Sequence, residues 1–135
     1  MNAIVDTGFL VALMEAHDAH HGWASEIAEQ IKWPALTCES VLSETAFHVR
    51  SSEAPLKMVS DGLLQISFEI PRQLEQLREL ALRYADRKPD LADLCLIRMS
   101  ELFPRHTVVT VDEDDFRVYR RNKREVIPLL CPPRK

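Results

Sequence analysis

Glycine is scarce in this chain, with three in 135 residues, and neither a low-complexity stretch nor a repeat divides it, so nothing marks a linker or a second domain. Cysteine is scarce too. Cys38, Cys95 and Cys131 are odd in number, widely spaced and without a Cys-x-x-Cys pair, which excludes the common zinc and dithiol motifs. They read as buried thiols in a reducing cytoplasm. No apolar run approaches the roughly 20 residues that cross a bilayer, so membrane insertion is not expected. The N-terminus lacks the basic region and long apolar segment of a signal peptide, so export by that route is not expected either. No Ser/His/Asp arrangement is visible, and Thr7 reads as a turn residue rather than a nucleophile.

What is present is enough apolar sequence, 46% of residues against 28% charged, for one compact core over residues 1–135. The net charge of −4 argues against a protein that coats nucleic acid. A basic run, Arg117-Val-Tyr-Arg120-Arg121-Asn-Lys123-Arg124, opposes that trend. Alone it reads as a solvated helix end and loop, although a phosphate-contacting surface has the same composition. His17, His20 and His21 have no correctly spaced partner and read as a solvent-exposed turn. Trp23 and Trp33 read as core or dimer-surface anchors rather than base-stacking platforms.

Strand and helix patterns alternate along the chain. Strands are expected at Ala3–Val5, 34–37, 64–69, 107–111 and 126–130, the fourth being the most β-branched segment. Helices are expected over 8–15, from the histidine turn through Ile31, and over 39–50 and 53–64. Another follows Pro71 with Leu74, Leu77, Ala81 and Tyr84 on its buried stripe. The helix over 91–102 is apolar over most of its circumference and should be central, and a short one follows from Asp114. This order predicts an α/β fold with a single, mainly parallel sheet and helices on both faces.

Carboxylates recur where such a fold places ligands. Asp6 and Asp112 end apolar strand runs, and Asp90 and Asp93 open the central helix. Asp6, Asp90 and Asp112 are each explained by helix capping, worth about 0.5–2 kcal/mol. Glu44 and Asp93 are not. Glu44 lies more than a turn inside its helix beside Val41, Leu42 and Ala46, and Asp93 is followed at once by Leu94 and Cys95 with no cation one turn on. A buried, unpaired carboxylate costs several kcal/mol unless neutralised. Acids gathered without cations fit a divalent ion, and oxygen-only ligands select Mg²⁺ or Mn²⁺. Phosphodiester hydrolysis is the chemistry that follows.

Ile4-Val5-Asp6-Thr7-Gly8, Val41-Leu42-Ser43-Glu44, Asp90-Leu-Ala-Asp93 and Val109-Thr110-Val111-Asp112 with Asp115-Phe116, in this order, resemble the PIN domain in the form found in VapC toxins. The resemblance spans nearly the whole chain. It implies a cytoplasmic Mg²⁺- or Mn²⁺-dependent endoribonuclease, a homodimer neutralised by a small VapB-like antitoxin. By position it makes Asp6, Glu44, Asp93 and Asp112 the catalytic, metal-binding acids, with Thr110 a supporting hydroxyl and Asp115 an additional acid. Asp90 either reaches a second metal position through water or only caps its helix. Arg117, Arg120, Arg121, Lys123 and Arg124 would contact RNA phosphates. Cys95 stands where a small alanine is usual, and Gly8 where relatives vary; neither removes a ligand. The competing readings are a Mg²⁺-binding receiver-like phospho-switch, for which Asp6 lacks a paired acid and Thr110 a nearby lysine, and a catalytically silent RNA- or protein-binding adaptor.

Overall fold

The computed structural model describes residues 1–134. Five short strands, β1 (Ala3–Val5), β2 (Ala35–Thr37), β3 (Leu64–Ile66), β4 (Thr107–Val109) and β7 (Leu129–Leu130), form one sheet in the order β3-β2-β1-β4-β7. Every pairing is parallel, with Ile4 opposite both Leu36 and Val108 at the centre. β1 and β2 are buried along their whole length, as a sheet covered on both faces requires. The α/β expectation is met, with helices on both faces. A flavodoxin-like receiver would need the strand order 2-1-3-4-5 instead.

The helices are α1 (Thr7–Met14), α2 (His21–Ala28), α3 (Glu39–Val49), α4 (Glu53–Ser60), α5 (Leu74–Arg83), α6 (Leu91–Leu102) and α7 (Glu113–Val118). α6 packs on β1 and β4 and buries Ala92, Leu94, Cys95, Leu96, Ile97, Met99 and Ser100, so it is the central helix its composition indicates. Trp23 packs edge-on against Phe9 with ring centroids 6.1 Å apart, and the Trp33 indole N–H donates to the Ala28 carbonyl at 3.0 Å. Both tryptophans are anchors of the α1–α2 layer.

Three expectations shift. The helix expected over 53–64 ends at Ser60, because Gly62 takes φ +77° and turns the chain into β3. A 3-10 turn over Ile70–Gln73 delays α5, so its buried residues are Leu77 and Leu80, and Leu74 is exposed. The single strand expected over 126–130 divides: β5 (Arg120–Arg121) and β6 (Glu125–Val126) make a separate antiparallel hairpin. Pro128, which has no N–H to donate, separates it from β7 while its carbonyl accepts from Val108 N–H at 2.9 Å.

The strand order reverses between β1, which continues to β2 on one side, and β4, which continues to β7 on the other. That switch point opens a crevice at the carboxyl ends of β1 and β4. Asp6 and Asp112 stand there.

Candidate active site

The acids are delivered by four elements, α6 supplying two of them. Asp6 follows β1 and is the N-cap of α1, its Oδ1 accepting from Phe9 N–H at 2.8 Å. Asp90 caps α6 by accepting from Asp93 N–H at 2.8 Å. Asp112 caps α7 by accepting from Asp115 N–H at 3.3 Å. Glu44 comes from the middle of α3 and Asp93 from the first turn of α6. Asp6, Glu44, Asp90, Asp93 and Asp112 line one cavity of about 310 Å³, together with Asp18, His20 and His48. Among the described residues no lysine or arginine lines it.

The tightest grouping is Asp93, Asp112 and Asp115, whose carboxylate oxygens lie within 4.8 Å of one another. Asp6 and Glu44 lie outside that triad but face the same space. Asp115 is partly neutralised from the side, because Arg87 donates to its Oδ1 at 2.8 Å.

Hydroxyl groups hold the acids in place. Thr110, fully buried at the end of β4, donates to Asp6 Oδ2 and accepts from Asp112 N–H at 2.9 Å, joining the two strand-end acids. Thr7 donates to Glu44 Oε1 at 2.8 Å, a bond that answers how a carboxylate inside a helix is partly satisfied. Tyr119, with its ring buried against Phe116 and Tyr84, donates its phenol proton to Asp93 Oδ2 at 3.0 Å. Sequence spacing gave no sign of the Tyr119–Asp93 contact. Its only trace was an aromatic inside the basic run, which suggested the surface rather than the interior. Glu44 and His48 line the same cavity one turn apart on α3, a shared face that the i, i+4 spacing makes available.

These bonds do not neutralise the site. Burial pushes Asp6 up to about 7, against hydrogen bonds from Thr110 and Phe9, and the charges of Asp112 and Glu44 push the same way. Asp93 is pushed up to about 7 by burial and then by Asp90, with Tyr119 opposing. Burial also raises Asp112. Acids crowded at a crevice that no lysine or arginine among the described residues lines have the donor chemistry of a hard divalent ion's site, and the residues present fit Mg²⁺ or Mn²⁺.

The basic run lies elsewhere than its sequence position suggests. Arg121 is spent on the fold: its guanidinium donates to the carbonyls of Ser100 and Pro104, each at 3.0 Å, and pairs with Glu125 at 2.9 Å. Asn122 N–H meets Glu101 at 2.5 Å. The hairpin therefore docks on the far end of α6, about 10 Å along the axis from Asp93. Lys123 and Arg124 are exposed at its tip. Arg117 pairs with Glu113 at 2.6 Å and Arg120 caps the carbonyls of residues 117–119. In the histidine turn, His17 and His20 are exposed, while His21 is half-buried against the Ala12 carbonyl at 2.8 Å.

The parallel sheet gathers these acids at its switch point, and residues 3–122 match the family model of the PIN domain. The chain belongs to that family. In fold it is similar to the toxin VapC20 of Mycobacterium tuberculosis, whose structure is described as that of a sarcin–ricin-loop-cleaving toxin. The TM-score is 0.73 at 23% identity, over 84% of this chain and 92% of VapC20. No curated protein sequence matches this chain.

Proposed function

We propose that residues 1–135 form a single nuclease domain that hydrolyses RNA phosphodiester bonds as a Mg²⁺- or Mn²⁺-dependent endoribonuclease, the toxin of a type II toxin–antitoxin pair. The observation that carries this reading is the convergence of Asp6, Glu44, Asp93 and Asp112, from four separate segments, on one cavity that no lysine or arginine among the described residues lines. Membership of the PIN family supports it, and so does the RNA-cleaving activity described for VapC20.

Asp6, Glu44, Asp93 and Asp112 hold the metal in this reading, with Asp90 and Asp115 at its margin. When bound, the divalent ion supplies Lewis-acid chemistry, activating a water and stabilising charge on the leaving oxygen. The chain supplies the orientation. Thr110 fixes Asp6 and the backbone entering Asp112, Thr7 fixes Glu44, and Tyr119 fixes Asp93. Holding ligands in place through a second layer of hydrogen bonds preserves their geometry between turnovers. Arg117, Arg120, Lys123 and Arg124 contact phosphates along the strand on either side of the cut, with Arg121 acting as their scaffold. A VapB-like antitoxin, a homodimer and a cytoplasmic setting complete the reading. Among the described residues no helix is long and apolar enough to cross a membrane.

The test is cleavage of RNA by the purified protein with Mg²⁺ or Mn²⁺, expected to vanish in chelator and in Asp6→Asn and Asp93→Asn. Cleavage that survives in both variants refutes the site, and a wild type inert with every divalent ion refutes the activity.

A further inference from the structure

Both tryptophans are committed to the α1–α2 layer, and the tyrosines and most phenylalanines are buried or half-buried in the same way. Among the described residues one Phe, Tyr or Trp side chain is left open to solvent: Phe47 on α3, 78% exposed. A large exposed ring is the informative exception to burial. Its surroundings on α3 are polar, since the residues one turn away are Ser43, Glu44, Arg50 and Ser51. Arg50, exposed at the C-cap of α3, makes no ion pair among the described residues. The ring is also tied to the acid cavity. It meets the His48 imidazole edge-on, with centroids 5.4 Å apart and planes at 79°, and His48 lines that cavity. Glu44 precedes Phe47 by three residues and His48 by four, so both rings stand on its side of the helix, about 4.5–6 Å along the axis.

We propose that Phe47, propped by His48, is the stacking platform for an unpaired RNA base beside the phosphate that the acids face, so that the substrate is single-stranded at the cut. This rests on the reading of the acid cavity as the ribonuclease site. In a duplex each base is already stacked between its neighbours, and only an unpaired, splayed base meets an aromatic ring face to face. Such stacking tolerates any base and is worth about a five- to 150-fold change in affinity. Arg50 stands three residues on, where a guanidinium meets the phosphate of the stacked nucleotide. A protein interface sets an anchoring ring in an apolar core, which the polar residues around Phe47 on α3 do not form.

The test measures binding of the purified chain, in Ca²⁺ as an oxygen-seeking ion, to single-stranded oligoribonucleotides carrying 5-iodouridine at successive positions and to the same sequences annealed into duplexes. Illumination that excites only the iodinated base, followed by peptide mapping, is expected to place the cross-link on Phe47 or His48. Phe47→Leu, which stays apolar but cannot stack, should bind the single strand about five- to 150-fold more weakly and the duplex as the wild type does. Phe47→Tyr should restore the single-strand affinity. The denaturation midpoint should not move, because the ring is exposed. With Mn²⁺ the same ratio is expected in kcat/KM for cleavage of the single strand. Wild-type affinity and kcat/KM in Phe47→Leu overturn the proposal, and continued cleavage then leaves the nuclease reading standing. A wild type that neither binds nor cuts RNA overturns both. A Phe47→Glu chain that loses a wild-type dimer while Phe47→Leu binds RNA normally assigns the ring to a second copy and overturns the proposal too.

Discussion

Raising the pH of the metal-free protein from about 5 to about 8 is expected to weaken the fold, the reverse of ordinary acid denaturation. Asp6 has an ordinary carboxyl value of 3.8 in the unfolded chain and about 7 in the fold. The folded state therefore binds the extra proton, and the stability this confers is fully present below about 3.8 and is lost as pH rises to about 7. Each unit in that window is worth about 1.4 kcal/mol, so Asp6 alone removes about 2.6 kcal/mol between about pH 5 and 8. Asp93, raised in the same direction to about 7 but less buried, adds a smaller share. Against a typical total of about 5–15 kcal/mol this is a visible fraction.

The assay is urea denaturation in chelator at both pH values for the wild type and Asp6→Asn. Asparagine keeps an oxygen for Phe9 N–H but cannot ionise, so the variant should lose less than half as much stability over the same interval. His106, whose value burial lowers, works in the opposite direction in both proteins and cancels in the comparison. Adding Mn²⁺ at about a hundred times its dissociation constant should restore about 2.7 kcal/mol at the higher pH and much less at the lower, where protons compete. A wild type no more sensitive to pH than Asp6→Asn refutes the reasoning that burial and like charge dominate this site.

Gly8→Ala should cost about 1–3 kcal/mol by thermal denaturation, since a Cβ there would meet the stiff Val111 side chain at 2.3 Å, directly beside Asp6. Thr7→Val should weaken Mn²⁺ binding by calorimetry about tenfold with little change in stability, and Thr7→Ser should restore it; equal affinity in all three would show that Glu44 needs no positioning. Arg121→Ala should destabilise the fold by about 2 kcal/mol through the carbonyls left without its donors. Lys123→Ala with Arg124→Ala should leave the denaturation midpoint unchanged and flatten the salt dependence of RNA binding.

How much of this was legible in the sequence follows from the range of each contact. β1, β2, α3 and α6 were readable because their signals are local: apolar runs, a helical stripe, an acid at the cap. Asp6, Asp90, Asp93 and Asp112 were readable for the same reason, each standing at the end or start of such an element, and Glu44 because it lies inside a helix among apolar neighbours; Asp18, which also lines the cavity, carried no such signal. The breaks were not. Pro128 interrupts the apolar stretch 126–130, whose composition looks continuous, Ser60-Asp61-Gly62 is a turn signal that the helical pattern overran, and the 3-10 turn at Ile70–Gln73 takes up the proline that reads as the start of α5. The partners of the acids were least legible. Tyr119 reaches Asp93 across 26 positions and Arg87 reaches Asp115 across 28, and both contacts exist only in the folded chain. Arg121 shows the opposite failure, a charged residue whose composition suggested a ligand-facing surface and whose guanidinium is committed to the end of α6.

Capping and metal binding first appear as rival explanations for Asp6, Asp90 and Asp112, and the geometry removes the rivalry. All three are caps, and the caps spend only part of each carboxylate: Asp90 and Asp112 give Oδ1 to a backbone N–H, and Asp6 gives Oδ1 to Phe9 and Oδ2 to Thr110. Capping is thus the means by which the chain gathers acids at the carboxyl end of the sheet. Three helix N-termini, of α1, α6 and α7, turn their positive ends toward the crevice and offset part of the repulsion, each by about 0.3–2 kcal/mol. That is not enough. With every cap, hydroxyl and helix end in place, Asp6 and Asp93 are still pushed up to about 7, so the fold leaves a deficit of positive charge that among the described residues no side chain lining the cavity supplies. That deficit, rather than the count of acids, is what the proposed divalent ion answers.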